Sequence, residues 1–184
     1  MSTEDDVRKA STQFYASLNR MVTGDSASMT DIWSHSAAAT ALHPIGGRDL
    51  GWDTVKASFE KVAQLASGGK VELKDQLIRA AGEMAYEVGV EHGQITLAGQ
   101  LASIEHRVTN IYQREAGVWK IVHHHTDTSA AMLDILSRLQ APAMLWARST
   151  KRSPRWRCSQ TPAARCPGSL RCQCRRSRKQ RFPG

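Results

Sequence analysis

Three groups of side chains in this sequence are of types that do chemistry: His43 directly before Pro44, Tyr15 in QFYASLNRM, and the run His123-His124-His125 followed by Asp127. A histidine titrates near neutrality, at about 6.5 when unperturbed, so a neutral His43 is a candidate general base. The alternative is a hydrogen-bonded histidine that shapes the chain before the proline. Tyr15 can donate a hydrogen bond into an apolar cavity, since a buried phenol needs a partner, or it can be a core aromatic beside Phe14. In a strand, His123, His125 and Asp127 share one face and His124 shares the other with Thr126. Two histidines and a carboxylate can ligate zinc or iron. Strand residues two apart diverge, however, so the expectation is one pocket-lining histidine and no metal.

These residues need elements to hold them. Val7, Ala10, Phe14, Leu18 and Met21 recur every three or four residues, the stripe of an amphipathic helix, with Thr3 and Asp6 as a capping box. Gly24 and Asp25 break it, and Asp25 or Ser26 can cap a short second helix carrying Met29, Ile32 and Trp33. TALHPIGGRDLG is a brief extended piece stopped by Pro44 and Gly46-Gly47. A third helix follows with Trp52, Val55, Phe59, Val62 and Ala66 on one side, closed by Gly68-Gly69 as a left-handed C-cap. Trp52 is either a pocket wall or core.

From Lys70 the period changes from 3.6 to 2. Four strands are predicted near 71–80, 83–97, 100–114 and 118–127, broken at Ala81-Gly82, Ala98-Gly99 and Ala116-Gly117. Three helices followed by an antiparallel meander is an α+β order, with helices on one face of a curved sheet. On the third strand Ile104, His106, Val108, Asn110 and Tyr112 form the more apolar face and should point inward. A strict two-residue turn at Ala116-Gly117 would set Trp119, His123 and His125 beside that face. A bulged turn would set Val122, His124 and Thr126 there. Glu105 and Arg107 fall on the opposite face. Ala130, Leu133, Leu136 and Leu139 predict a terminal helix.

Charge divides the chain in two. The whole carries a formal +8, but residues 141–184 hold 12 of the 25 Lys and Arg and none of the 17 Asp and Glu. Residues 1–140 therefore carry 13 basic against 17 acidic residues, a formal −4. The basic segment also has all four cysteines and five of the six prolines, and shows neither helical nor strand period. It is expected to be a disordered tail, separate from a domain over 1–140. The same shift in composition fits an out-of-frame gene end. Nucleic acid is expected to meet this chain only through the tail and without sequence readout. Cys172-Gln173-Cys174 lacks the paired spacing of a zinc ribbon. A body without cysteine, an acidic N-terminus and no run of about 18 apolar residues predict a cytoplasmic protein without a membrane span.

QFYASLNRMVTGD, ALHPIGG with GWDTVKASFE, and TNIYQREAGVWKIVHHHTD, in that order and spacing, resemble the SnoaL-like and ketosteroid-isomerase-like branch of the nuclear-transport-factor-2-like superfamily. The resemblance covers about residues 5–130. It implies a cone-shaped α+β fold, a curved antiparallel sheet around helices with a pocket at the wide end. Tyr15 then matches the tyrosine that donates to the oxyanion in ketosteroid isomerase, and His43 the position of its aspartate base. Asn110 falls near its second oxyanion donor, a neutral carboxylic acid. With histidine and asparagine at two of those positions, steroid isomerisation is not implied. The frequent bulge of the family at the last hairpin favours His124 as the inward histidine.

Together these observations predict a small-molecule pocket protein of acid–base type that needs no cofactor. His43 and Tyr15 are the expected catalytic residues, and Trp52, His106, Asn110 and His124 the expected lining around a small apolar carbonyl or epoxide compound. The alternative is a binding or assembly module. A homodimer is expected through the outer sheet face, where Ile111 lies.

Overall fold

The computed structural model describes residues 2–140. The tail expected over 141–184 lies outside the described residues.

Helix α1 (Thr3–Met21) is capped one residue earlier than expected. Ser2 Oγ accepts from the Asp5 amide at 3.2 Å, and the Asp5 carboxylate accepts from the Ser2 amide at 2.9 Å. The box is Ser2 and Asp5, not Thr3 and Asp6. Of the predicted stripe, Val7, Ala10, Phe14 and Met21 are buried and Leu18 is partly buried; Tyr15, outside the stripe, is buried as well. The expected second helix shrinks to a single 3₁₀ turn (Ala27–Met29), with the Asp25 carboxylate accepting from the Ala27 amide at 3.0 Å.

Strand β1 (Thr40–Leu42) and strand β2 (Asp49–Leu50) precede helix α2 (Trp52–Leu65), which buries Trp52, Val55, Phe59 and Ala63. The chain passes without a loop into β3 (Ala66–Ala81), followed by β4 (Met84–Leu97), β5 (Gln100–Glu115) and β6 (Val118–Thr126). Helix α3 (Ala130–Gln140) closes the described chain and buries Met132 and Ile135.

Gly68 and Gly69 are not a helix cap; they lie inside β3. A Cβ on Gly69 would stand 2.3 Å from the Gln94 carbonyl oxygen, and one on Gly93 would stand 2.0 Å from that of Lys70. Both residues have φ in the region that favours glycine, +134° and +158°. Two strands approach here more closely than side chains allow, which is the use of glycine inside a strand. Helix α2 therefore ends at Leu65, earlier than the glycines indicate.

The sheet order is β2-β1-β6-β5-β4-β3, curved and unclosed. The four long strands form the expected antiparallel meander. Strand β1 corrects the all-antiparallel reading, because it pairs parallel to β6 with Thr40, Ala41 and Leu42 opposite His123, His124 and His125. The fold is α+β, with α1 and α2 against the sheet over a core that includes Phe14, Trp33, Phe59, Tyr112 and Ile121.

Candidate functional site

The last hairpin decides which histidine turns inward. Glu115 pairs with Val118 across Ala116-Gly117, so the turn is the strict two-residue one. Trp119 and Ile121 are accordingly buried. Register then slips, because Tyr112 pairs with Ile121 while Ile111 pairs with His123, leaving Val122 as an extra residue. That bulge reverses the alternation, and His124 and Thr126 face inward. The bulge favouring His124 exists, but it lies within β6 and not at the turn.

His43 is positioned by a second return of the chain. After β1 the His43 carbonyl accepts from the Gly46 amide at 2.9 Å, and Gly46 and Gly47 take φ of +82° and +86°. This turn brings Asp49 back opposite Ala41, with its carboxylate 2.7 Å from His43 Nε2. His43 is nine-tenths buried and packs edge-on against Phe59, ring centroids 5.7 Å apart.

The sheet interior carries two buried carboxylates on β4, Glu87 and Glu91, each directly opposite a polar residue of β5. Glu91 faces His106, whose Nε2 lies 2.8 Å from its Oε2, and accepts from the Tyr15 hydroxyl at 3.1 Å. Glu87 faces Asn110 and accepts from its amide and from the Tyr112 hydroxyl, both at 2.8 Å, and from the Gln76 amide at 2.5 Å. Asn110 in turn accepts through Oδ1 from His124 Nδ1 at 2.7 Å. Because the Asn110 amide is committed to Glu87, His124 must carry its proton on Nδ1. A buried carboxylate is tolerated when donors surround it, and both glutamates meet that condition.

Burial first, and the neighbouring carboxylates second, hold the Tyr15 and Tyr112 phenols above their ordinary range, so both remain donors. Burial pushes His124 down to about 4, so it is a neutral ring at pH 7.

A cavity of about 60 Å³ opens among α1, α2, α3 and the sheet. Its polar edges are His43, His106 and Glu91; its apolar walls include Leu18, Met21, Phe59, Ile95, Ile104 and Met132. Of the six expected site residues, His43 and His106 line it together. Tyr15 reaches it only through Glu91, its hydroxyl being already engaged. Asn110 and His124 form the adjoining network around Glu87. Trp52 stacks on His35 at 4.7 Å and packs near Trp33, and does not line the cavity.

Glu87, Glu91 and Asp49 were not among the expected residues. Strand parity marks the first two: 87 and 91 share the alternation of Ala85, Ile95 and Leu97, all buried. At the outer end, His123 Nδ1 pairs with the Thr40 hydroxyl at 2.7 Å. Among the described residues no three His, Cys, Asp or Glu side chains are grouped to hold a metal ion. Arg107 forks onto Asp127 at 2.8 and 3.0 Å on the outer face, which holds the Asp127 carboxyl down at about 2.

The SnoaL-like domain model matches residues 7–131, and the chain belongs to that family. Similar solved structures share the fold at low identity. A proposed dehydratase of the NTF2-like family from Streptomyces avermitilis is 22% identical, with 70% of this chain and 96% of that chain covered and a TM-score of 0.62. A protein with a cystatin-like fold from Caulobacter vibrioides is 15% identical, covers 73% and 95%, and has a TM-score of 0.57. The CaMKII hub of S. rosetta is 19% identical, covers 69% and 97%, and has a TM-score of 0.56. No curated protein matches the chain.

Proposed function

We propose that this protein binds a small, largely apolar carbonyl or epoxide compound in the cavity between His43 and His106 and acts on it by acid–base chemistry. One observation carries this reading: two histidines, each oriented by its own carboxylate, meet at one apolar-walled space. A carboxylate on one ring nitrogen selects the tautomer and leaves the other nitrogen for proton transfer. We take His43 as the base: Asp49 holds its Nε2 and its Nδ1 has no hydrogen-bond partner among the described residues, while the Nδ1 of His106, held likewise by Glu91, is buried out of reach. Low dielectric around the space strengthens each polar contact a substrate makes. The similarity to a proposed dehydratase is compatible with an enzyme of this kind. The test is exchange of α-protons of small ketones such as acetone and hydroxyacetone in D2O, followed by NMR. The wild-type protein should accelerate exchange over buffer. His43→Ala should lower the rate at least about 100-fold while retaining the melting temperature. No acceleration with any ketone, together with no hydrolysis of a small epoxide panel, contradicts the reading.

A second reading concerns assembly. The outer sheet face presents Met84 and Tyr86 beside Ile111, and Tyr86 is 45% exposed. Apolar side chains grouped on a sheet face are surface to cover. We propose a homodimer that closes over them, and the hub architecture among the structural neighbours is compatible with assembly.

A further inference from the structure

The walls of the cavity are held unequally. Leu18 and Met21 stand on α1, Phe59 on α2, and Ile95 and Ile104 on neighbouring paired strands, all within elements fixed by core packing or by register. Helix α3 adds one lining side chain, Met132, which is 3% exposed. Of the eleven residues of α3, only Met132 and Ile135 are buried. The start of the helix is seated beside the histidine end of the cavity. There the Ser129 amide donates to the Pro44 carbonyl at 2.7 Å, and Ser129 Oγ accepts from the Met132 amide at 3.3 Å. Among the described residues the polar side chains of the lining are His43, Glu91 and His106, none of them on α3. An alkyl group that meets α3 therefore meets a thioether and hydrocarbon. Methionine is unbranched and turns about three side-chain bonds, so it yields to a ligand where a close-packed wall on paired strands does not.

We infer that Met132 is a specificity-determining residue that sets the length of alkyl group the site accepts, so that the substrates are short-chain compounds whose alkyl end lies against α3. The inference rests on the cavity being the ligand site, as proposed above, but not on catalysis by His43. A longer alkyl group has to displace Met132, because the other apolar walls are tied into α1, α2 and the sheet.

The probes are the ketones from acetone through 2-butanone and 2-pentanone to 2-hexanone, titrated into full-length protein labelled with 13C at the methionine methyls. Met21 lines the same cavity and reports binding in every variant, whereas Met84 on the outer sheet face reports binding elsewhere. The wild-type protein should bind 2-hexanone about tenfold more weakly than 2-butanone. In Met132→Ala the shortened side chain leaves space for about three more carbons, and the order should reverse to about tenfold in favour of 2-hexanone. Met132→Leu, which nearly conserves the volume, should restore the wild-type order. Equal affinities along the series in the wild type, or the wild-type order kept in folded Met132→Ala, overturns the inference. If Met132→Ala does not fold, the wild-type order decides it together with a nuclear Overhauser contact between the alkyl end of 2-butanone and the Met132 methyl, whose absence overturns it. Saturable shifts at Met21 that do not depend on Met132 defeat this inference alone. Shifts confined to Met84 defeat the ligand-site reading as well. Length selection without ketone exchange defeats the catalytic reading alone.

Discussion

Glu87 is fully buried and receives three hydrogen bonds, from Asn110, Tyr112 and Gln76. Removing the carboxylate strands those donors in the core. Glu87→Ala should therefore cost about 3 kcal/mol or more in urea unfolding, well above a surface substitution. Glu87→Gln, which keeps one acceptor oxygen, should cost less. His124 gives the same network a pH dependence. Its pKa lies near 4 in the fold, against about 6.5 unfolded. The unfolded chain thus binds the extra proton first, and stability rises with pH across that window. Lowering the pH from about 6.5 to 4 should remove up to about 3 kcal/mol through this ring. His124→Gln should flatten that part of the profile, and an unchanged slope would refute the assignment. Tyr15, His43, His106, Asn110 and His124 were all legible as polar residues of the interior, from strand parity and family position. Glu87 and Glu91 were not, because a carboxylate in a strand reads as solvent-facing until its parity with Ile95 and Leu97 is counted.

Among the elements, the close approach of β3 and β4 depends on glycine at two places. Gly69→Ala and Gly93→Ala put a methyl against a backbone oxygen that cannot move away, and each should cost about 2–4 kcal/mol. Gly117→Ala meets open space and keeps only the strain of its positive φ, about 1 kcal/mol. Thermal unfolding of the three variants orders them. The four strands and three of the helical segments were legible from the change of period. The extent of α2 was not, because Gly68-Gly69 is equally a helix stop and a strand crossing, and only the partner strand distinguishes them. Nor was β1's parallel pairing with β6, since a three-residue strand has no period to read. The hairpin shows the same limit. Turn and bulge are separate features with four residues between them, and their combined parity sends His124 inward.

At the scale of the molecule, the basic excess belongs to residues 141–184 of the sequence, and the apolar sheet face belongs to the described residues. No helix of the described residues is long and apolar enough to cross a membrane. Deleting residues 141–184 takes away 12 basic residues and no acid. Any affinity for DNA should be lost with them, and in the full chain should fall steeply with salt. If Tyr86 sits in a dimer interface, Tyr86→Glu should give a monomer by sedimentation where the wild type is a dimer at tens of micromolar. A wild-type monomer at that concentration contradicts the assembly reading. The central claim is that the space between His43 and His106 is the ligand site. The most direct measurement is a crystal structure of the full-length protein soaked with hydroxyacetone. The account predicts density there, with the carbon beside the ligand carbonyl turned to His43. A cavity closed by Leu18 and Met132, with hydroxyacetone absent or bound only on the outer sheet face, would contradict it.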